Sequence, residues 1–427
     1  MAPHRRRVLF ASLTTLTLAL ATTGPALADD DAPPAHPLAA LIAGGAEVTA
    51  TGEIAEVIAD PSGETTWYLR AGAADVELDP MSLPAGSATG DEISATVEVP
   101  GEAIAALSLS EAAALAATSR VNAAANDPVD EATDTGAALL SAAESAGVPA
   151  QLTATTVLEA AAEVVAAPPA PSPHYLHIAF MSRTDRGKFY TSEQLDTFVR
   201  GLSSYWVRES HGVISDFVYS WDDTVAIQSD LGCTGSLFQI TTAATNALGL
   251  TTAAASGAGH HVVVLSPNDD TAGCANAGTY SGVALLGSRG LQSGGYVHVF
   301  ANAAWPGESS HVISHEVGHN LSLHHAGTGT CPSGTVDGPF TASGPCTIQS
   351  TNDFYGDLRN VMGWGNPGTT TLNSFQKRQL SLIDDGAGLV LVSGNQDTGY
   401  TIAPSATTSL TAAQGLKVSD TSGGINR

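Results

Sequence analysis

Positive charge is what this chain most lacks. Across 427 residues, 16 Lys and Arg stand against 42 Asp and Glu, for a formal net charge of −26, and the only lysines are Lys188, Lys377 and Lys417. A surface of that sign repels nucleic acid and anionic membranes, so neither is expected as a partner. Cysteine is sparse as well: Cys233, Cys274, Cys331 and Cys346 form an even set of 4, which suits disulfides in an oxidising compartment. The pairs 233–274 and 331–346 each close a loop rich in glycine and turn residues and are the expected connectivity. Metal ligation by Cys331 or Cys346 is disfavoured because the close paired spacing of a zinc knuckle is missing. Past the first thirty or so residues no apolar run is long enough to cross a bilayer.

The chain begins MAPHRRRVLFASLTTLTLALATTGPALADD, with Arg5, Arg6 and Arg7 ahead of an apolar run from Val8 to about Ala21 and then Ala26-Leu27-Ala28. That order reads as a signal peptide over 1–28 cut after Ala28, the run being short and threonine-diluted for an anchor. A secreted, soluble, monomeric protein without a membrane partner is the expectation. Residues 29–173 contain no cysteine and only His36 as histidine. In them, EVTATGEIAEVIADPSGETTWYLRAGAADVELDP and DEISATVEVPG alternate short apolar runs with turn residues, as a small β unit does. The alanine-rich stretch 135–166, with Leu139, Leu140, Val157, Leu158 and Val164, predicts one or two helices. APPAPSPH, residues 167–174, is a proline-rich linker.

Beyond it the pattern changes. YLHIAFMS reads as a strand, and TSEQLDTFVRGLSSYWVRESHG as a helix opened by a Thr191/Gln194 capping box, with Leu195, Phe198, Val199, Leu202 and Trp206 on its core face. VISDFVYSW, HHVVVLSP, VALLG and YVHVF supply further strands, and SLFQITTAATNALG a second helix. Such alternation predicts an α/β sheet layer with helices packed on it. Residues 386–427 carry short β-like runs, LVLVS, YTIAP and GLKVS, with no function legible in them.

Chemistry concentrates in HEVGHNLSLHH, residues 315–325. His315 and His319, four apart, share a helix face about 6 Å along the axis, so both imidazoles can reach one ion. Glu316 is poorly placed as a co-ligand and well placed to take a proton from a metal-activated water. A catalytic zinc needs a third protein ligand. On a continuing helix a residue ten positions past His315 would lie about 15 Å away along the axis. The helix must therefore end soon after His319, with Ser322 at the reversal and His324 and His325 both available beyond it.

Three histidines and the glutamate fit HExxHxxGxxH, lacking only its glycine, and a methionine follows in NVMGWG. Here the sequence resembles the metzincin zinc endopeptidases, and HEVGHNLSLHH with YGDLRNVMGWG looks most like their gametolysin group. The resemblance implies zinc on His315, His319 and His325, Glu316 as general base, and Met362 in a Met-turn beneath the metal. It implies an α/β catalytic domain over 174–385 with a twisted mixed sheet and packed helices, hydrolysing protein or peptide substrates, with YVHVF, residues 296–300, as the edge strand along which substrate lies. Two positions depart from the family. Ser322 replaces the turn glycine, at a cost on the order of 1 kcal/mol if its backbone is left-handed. Trp364 stands where some metzincins place a tyrosine near the metal, so no tyrosine ligand is expected.

Other plans fit less well. A third ligand from a downstream glutamate is excluded, because none follows Glu316. Asp337 in GTVDGPF partly imitates an aspartate plan but leaves Met362 unexplained. A secreted binding protein on a degenerate protease scaffold is the competing class, which an intact Glu316 and three histidines argue against. Asp353 or Asp357 could hold calcium, though no dedicated loop pattern surrounds them. His260, His261, His298 and His324 read as ordinary half-exposed residues. Residues 29–173 are expected to act as a propeptide whose blocking group, without cysteine, is a carboxylate, His36 or steric cover.

Overall fold

The computed structural model describes residues 46–61, 64–71, 74–84, 87–105, 129–130, 134–146, 149–159, 170–255, 257–268, 274–278, 280–302, 306–327, 355–363, 365, 370–383, 389–393 and 415–419. The signal peptide, His36, Cys331, Asp337, Cys346, Asp353 and Trp364 lie outside them, as do most of the linker and the second expected disulfide.

The N-terminal unit begins with β1 (Ala46–Pro61), whose length lets it pair with several strands. β2 (Glu64–Ala71) and β3 (Ala74–Leu78) follow it in antiparallel order. β4 (Glu92–Val99) pairs with the first half of β1, and the two-residue β5 (Val129–Asp130) lies parallel to it. Helix α1 (Asp134–Ala146) covers this sheet, placing Leu139, Leu140 and Ala143 against Val48, Ile54, Val76 and Val97 in a closed apolar cluster. Part of the helical expectation for 135–166 is overturned. Residues Gln151–Glu159 form β6, antiparallel to β4. Thr153, Thr155, Thr156 and Val157 are β-branched and sit more easily on a pleated edge than in a helix.

The second half opens with β7 (Ser172–Ser182) and α2 (Ser192–Glu209), capped by the Thr191/Gln194 box. Next come β8 (Ile214–Val218), β9 (Val225–Gln228), α3 (Leu237–Ala247), β10 (His260–Pro267), β11 (Tyr280–Leu285), β12 (Gly295–Ala301) and α4 (Pro306–Asn320). A short α5 (Ser374–Gln379) lies farther on, and β13 (Leu389–Ser393) pairs with β14 (Gly415–Ser419) apart from the main sheet. β8, β7, β10 and β12 run parallel, β11 is antiparallel to β12, and β1 adds antiparallel to β11, so one mixed sheet runs through both halves. Side-chain alternation on β10 makes the layers: Val263 and Leu265 join α2 and α4 on one face, Val262 and Val264 join α3 on the other. Cys233 and Cys274 are disulfide-bonded as expected.

YVHVF is not an edge. β12 is hydrogen-bonded on both sides and buried along its length, because it lies between β10 and β11. β11 is the last strand of the second half, and β1 already occupies its outer side.

Candidate metal centre

α4 carries the motif because one face is apolar. Ile313, Val317 and Leu321 are fully buried beside Leu202 and Trp206 of α2, and the Trp206 indole donates to the Ser314 carbonyl at 3.1 Å. Gly318 is required by closeness: a Cβ there would lie 2.2 Å from Met362 Sδ and 3.2 Å from Trp206 Cζ2. Met362 is thus packed directly under the motif helix. Its turn is tied by Asn360, whose side chain accepts from the Met362 amide at 3.0 Å and whose carbonyl accepts from Gly363 and Gly365 at 3.0 Å each.

The helix ends at Asn320 and the chain reverses at Ser322, whose φ is +72°. The Leu323 amide bonds the Gly318 carbonyl at 3.0 Å and the Ser322 amide bonds the His319 carbonyl at 2.8 Å, the two bonds of a Schellman ending. Ser322 takes the place usual for glycine there, and its hydroxyl accepts from the Gly290 amide at 2.9 Å, which offsets the backbone cost. Leu323 then turns inward, His324 stays exposed, and His325 swings back.

His315, His319 and His325 converge with Asp60 of β1, offering ligand atoms all within 4.8 Å of one another. His315 Nε2 lies 3.0 Å from Asp60 Oδ2, His319 Nε2 3.4 Å from the same oxygen, His325 Nε2 2.6 Å from Oδ1, and His319 Nε2 3.1 Å from His325 Nε2. Ligand atoms about 2.1 Å from a tetrahedral ion stand about 3.4 Å apart, close to this spacing. Nδ1 of His315 donates to the Val361 carbonyl at 2.7 Å and Nδ1 of His319 to the Leu323 carbonyl at 2.6 Å, fixing both rings with Nε2 inward. His315 Nε2 and Asp60 Oδ2 are buried and face each other 3.0 Å apart, as ligands aimed at one ion would. The buried group therefore fits a metal ion.

Electrostatics follow from burial and the single carboxylate. Burial opposes ionisation of Asp60, but the His315 charge and hydrogen bonds from the three imidazoles outweigh it and hold the carboxyl well below its usual range. Burial pushes His319 down to about 4 and lowers His325, favouring the neutral rings a metal needs. For His315, burial is outweighed by Asp60 and the pKa rises. Glu316 is fully buried with both carboxylate oxygens unpartnered, and burial, then the Asp60 charge, raise its pKa well above normal. Gly282 of β11 makes room for it, since a Cβ there would lie 2.1 Å from Glu316 Oε1.

Several participants were not legible. Asp60 comes from 255 positions before His315 in the chain, at the end of VIADP, and the sequence narrows a blocking group only to a carboxylate, His36 or steric cover. Tyr355 lies against this group: its hydroxyl donates to Asp60 Oδ1, and its ring centre is 4.2 Å from that of His325. A tyrosine seven positions before Met362 carries no spacing signal. Asn320 locks the helix end to the sheet, donating to the Leu285 carbonyl at 2.7 Å and the Tyr296 carbonyl at 3.2 Å, while its oxygen meets His261 Nδ1 at 3.0 Å. His261 and His298 are fully buried, not half-exposed: His261 bonds His174 at 2.9 Å, and His298 bonds Ser266 and Tyr280 at 2.9 Å each. No family model matches the chain, and no curated protein matches it.

Proposed function

We propose that the protein is a secreted zinc endopeptidase of metzincin type, made as a zymogen. The observation that carries this reading is the convergence of three imidazoles beside an unpartnered, buried Glu316. Three imidazole nitrogens gathered within 4.8 Å favour zinc over magnesium or calcium, which take oxygen ligands. His315, His319 and His325 would hold the ion.

Zinc there would supply a Lewis acid for the scissile carbonyl and a water acidified toward a pKa of about 7. Glu316, kept hungry for a proton by burial, accepts one as the water oxygen bonds to the carbonyl carbon. It then gives that proton to the amide nitrogen as the C–N bond breaks. Tyr355, whose hydroxyl already donates to a carboxylate oxygen within the histidine group, would donate to the carbonyl oxygen as charge builds on it. β11 offers the backbone edge on which an extended peptide can be held.

To test the reading, the zinc-loaded chain would be treated briefly with a serine protease to remove the N-terminal unit. The protease is then quenched, and cleavage of a denatured protein is followed. The parent is expected to cleave, and Glu316→Ala treated identically to be at least about 10³-fold slower. Equal rates would refute the assignment.

A further inference from the structure

We propose that β1 is an intramolecular inhibitor, lying in the substrate's track with Asp60 filling the fourth position on the metal; the proposal rests on the zinc peptidase reading above. The first support is backbone geometry. Residues 57–61 pair antiparallel with β11, from Val57 opposite Leu285 to Asp60 opposite Gly282, and the Leu286 amide bonds the Glu56 carbonyl at 2.8 Å. A strand so placed uses the hydrogen-bonding edge that an extended peptide would need.

The second support is side-chain alternation. Val57 packs with Val283, Leu285 and Phe238 on one face of the sheet, and Ala59 packs against the same cluster. Asp60, next along, therefore turns to the face where α4 lies. Pairing is irregular between Asp60 and Pro61, so the strand's regular track stops at the residue that meets the histidines. Third, Asp60 satisfies the site electrically and sterically at once: its two oxygens face three imidazoles and the Tyr355 hydroxyl, and it is only 6 % exposed. A carboxylate held there occupies the position on the ion that the three imidazoles leave for water.

The arrangement is latency without cysteine. The 16 residues of β1 span both units: its first half pairs with β4, and its second half pairs with β2 on one side and, from Val57, with β11 on the other. Removing the unit would withdraw the strand and the ligand together.

The test compares the full-length, zinc-loaded parent with Asp60→Ala and Asp60→Asn, the latter keeping the side chain's volume if the smaller residue fails to fold. Two readouts are taken: binding of acetohydroxamate, a bidentate zinc chelator, by calorimetry, and hydrolysis of a quenched fluorescent peptide. The variants are expected to bind acetohydroxamate at least tenfold more tightly than the parent and to hydrolyse peptide at least tenfold faster. Parent and variants equal in both readouts, with hydrolysis abolished by Glu316→Ala, would overturn the inhibitory strand and leave the peptidase standing. Tighter acetohydroxamate binding by the variants without hydrolysis would support Asp60 as the ligand with β1 still across the track, and hydrolysis still absent once the N-terminal unit is removed would refute the peptidase. Absence of bound zinc from parent and variants would overturn both.

Discussion

At the scale of single residues, the metal group depends on one unusual backbone conformation. Ser322 holds φ at +72° and redeems it with a hydroxyl that accepts from Gly290. Ser322→Ala keeps the strained backbone and orphans that amide, so urea unfolding should show a loss of about 1 kcal/mol. Ser322→Gly relieves the strain while losing the bond, and should fall within about 0.5 kcal/mol of the parent. The position of this turn was legible, because a helix running past His319 carries any third ligand away from the metal. What the hydroxyl bonds to was not, since Gly290 lies 32 positions earlier in the chain. Tyr355 was hidden for the same reason. With the inhibitory strand removed, Tyr355→Phe should retain zinc and KM while kcat drops by on the order of 10²; a rise in KM or a loss of zinc alone would mean that the phenol only packs.

At the scale of elements, β1, β11 and α4 meet at Asp60, Gly282 and Glu316. Gly282→Ala should push Glu316 aside, abolishing hydrolysis while zinc binding persists, since no ligand sits on β11. β1 carries a second buried acid: burial raises Glu56 to about 7. A raised carboxyl favours the folded state below its unfolded pKa of 4.5, and that contribution is lost as pH rises through about 7. Glu56→Gln should therefore raise the urea midpoint at pH 8 and leave it nearly unchanged at pH 4.5. Most individual strands and helices could be read from alternation and spacing, including YLHIAFMS, HHVVVLSP and the capped α2. Strand order could not. Nothing local in YVHVF says that β11 will flank it, and nothing in VIADP says that it will pair 220 positions away with residues 280–285.

At the scale of the whole molecule, two apolar clusters, one under α1 and one between the main sheet, α2 and α4, are bridged by a continuous sheet. Along the sheet's strands burial depresses His174 to about 4, and His261 and His298 to about 3. A depressed histidine leaves stability intact above its unfolded pKa of 6.5, with loss as pH falls toward the folded value, by up to about 1.4 kcal/mol per pH unit for each proton taken up. The urea midpoint should accordingly fall between pH 7 and pH 5, opposite in sign to the Glu56 contribution. Everything functional in the account depends on which side chains gather at the junction of the two halves. The direct measurement is zinc retained per full-length chain during dialysis against a competing chelator, for the parent, His324→Ala and His325→Ala. About one zinc is expected in the parent and in His324→Ala, and loss of zinc from His325→Ala. A parent without zinc, or loss from His324→Ala with retention in His325→Ala, would contradict the ligand assignment.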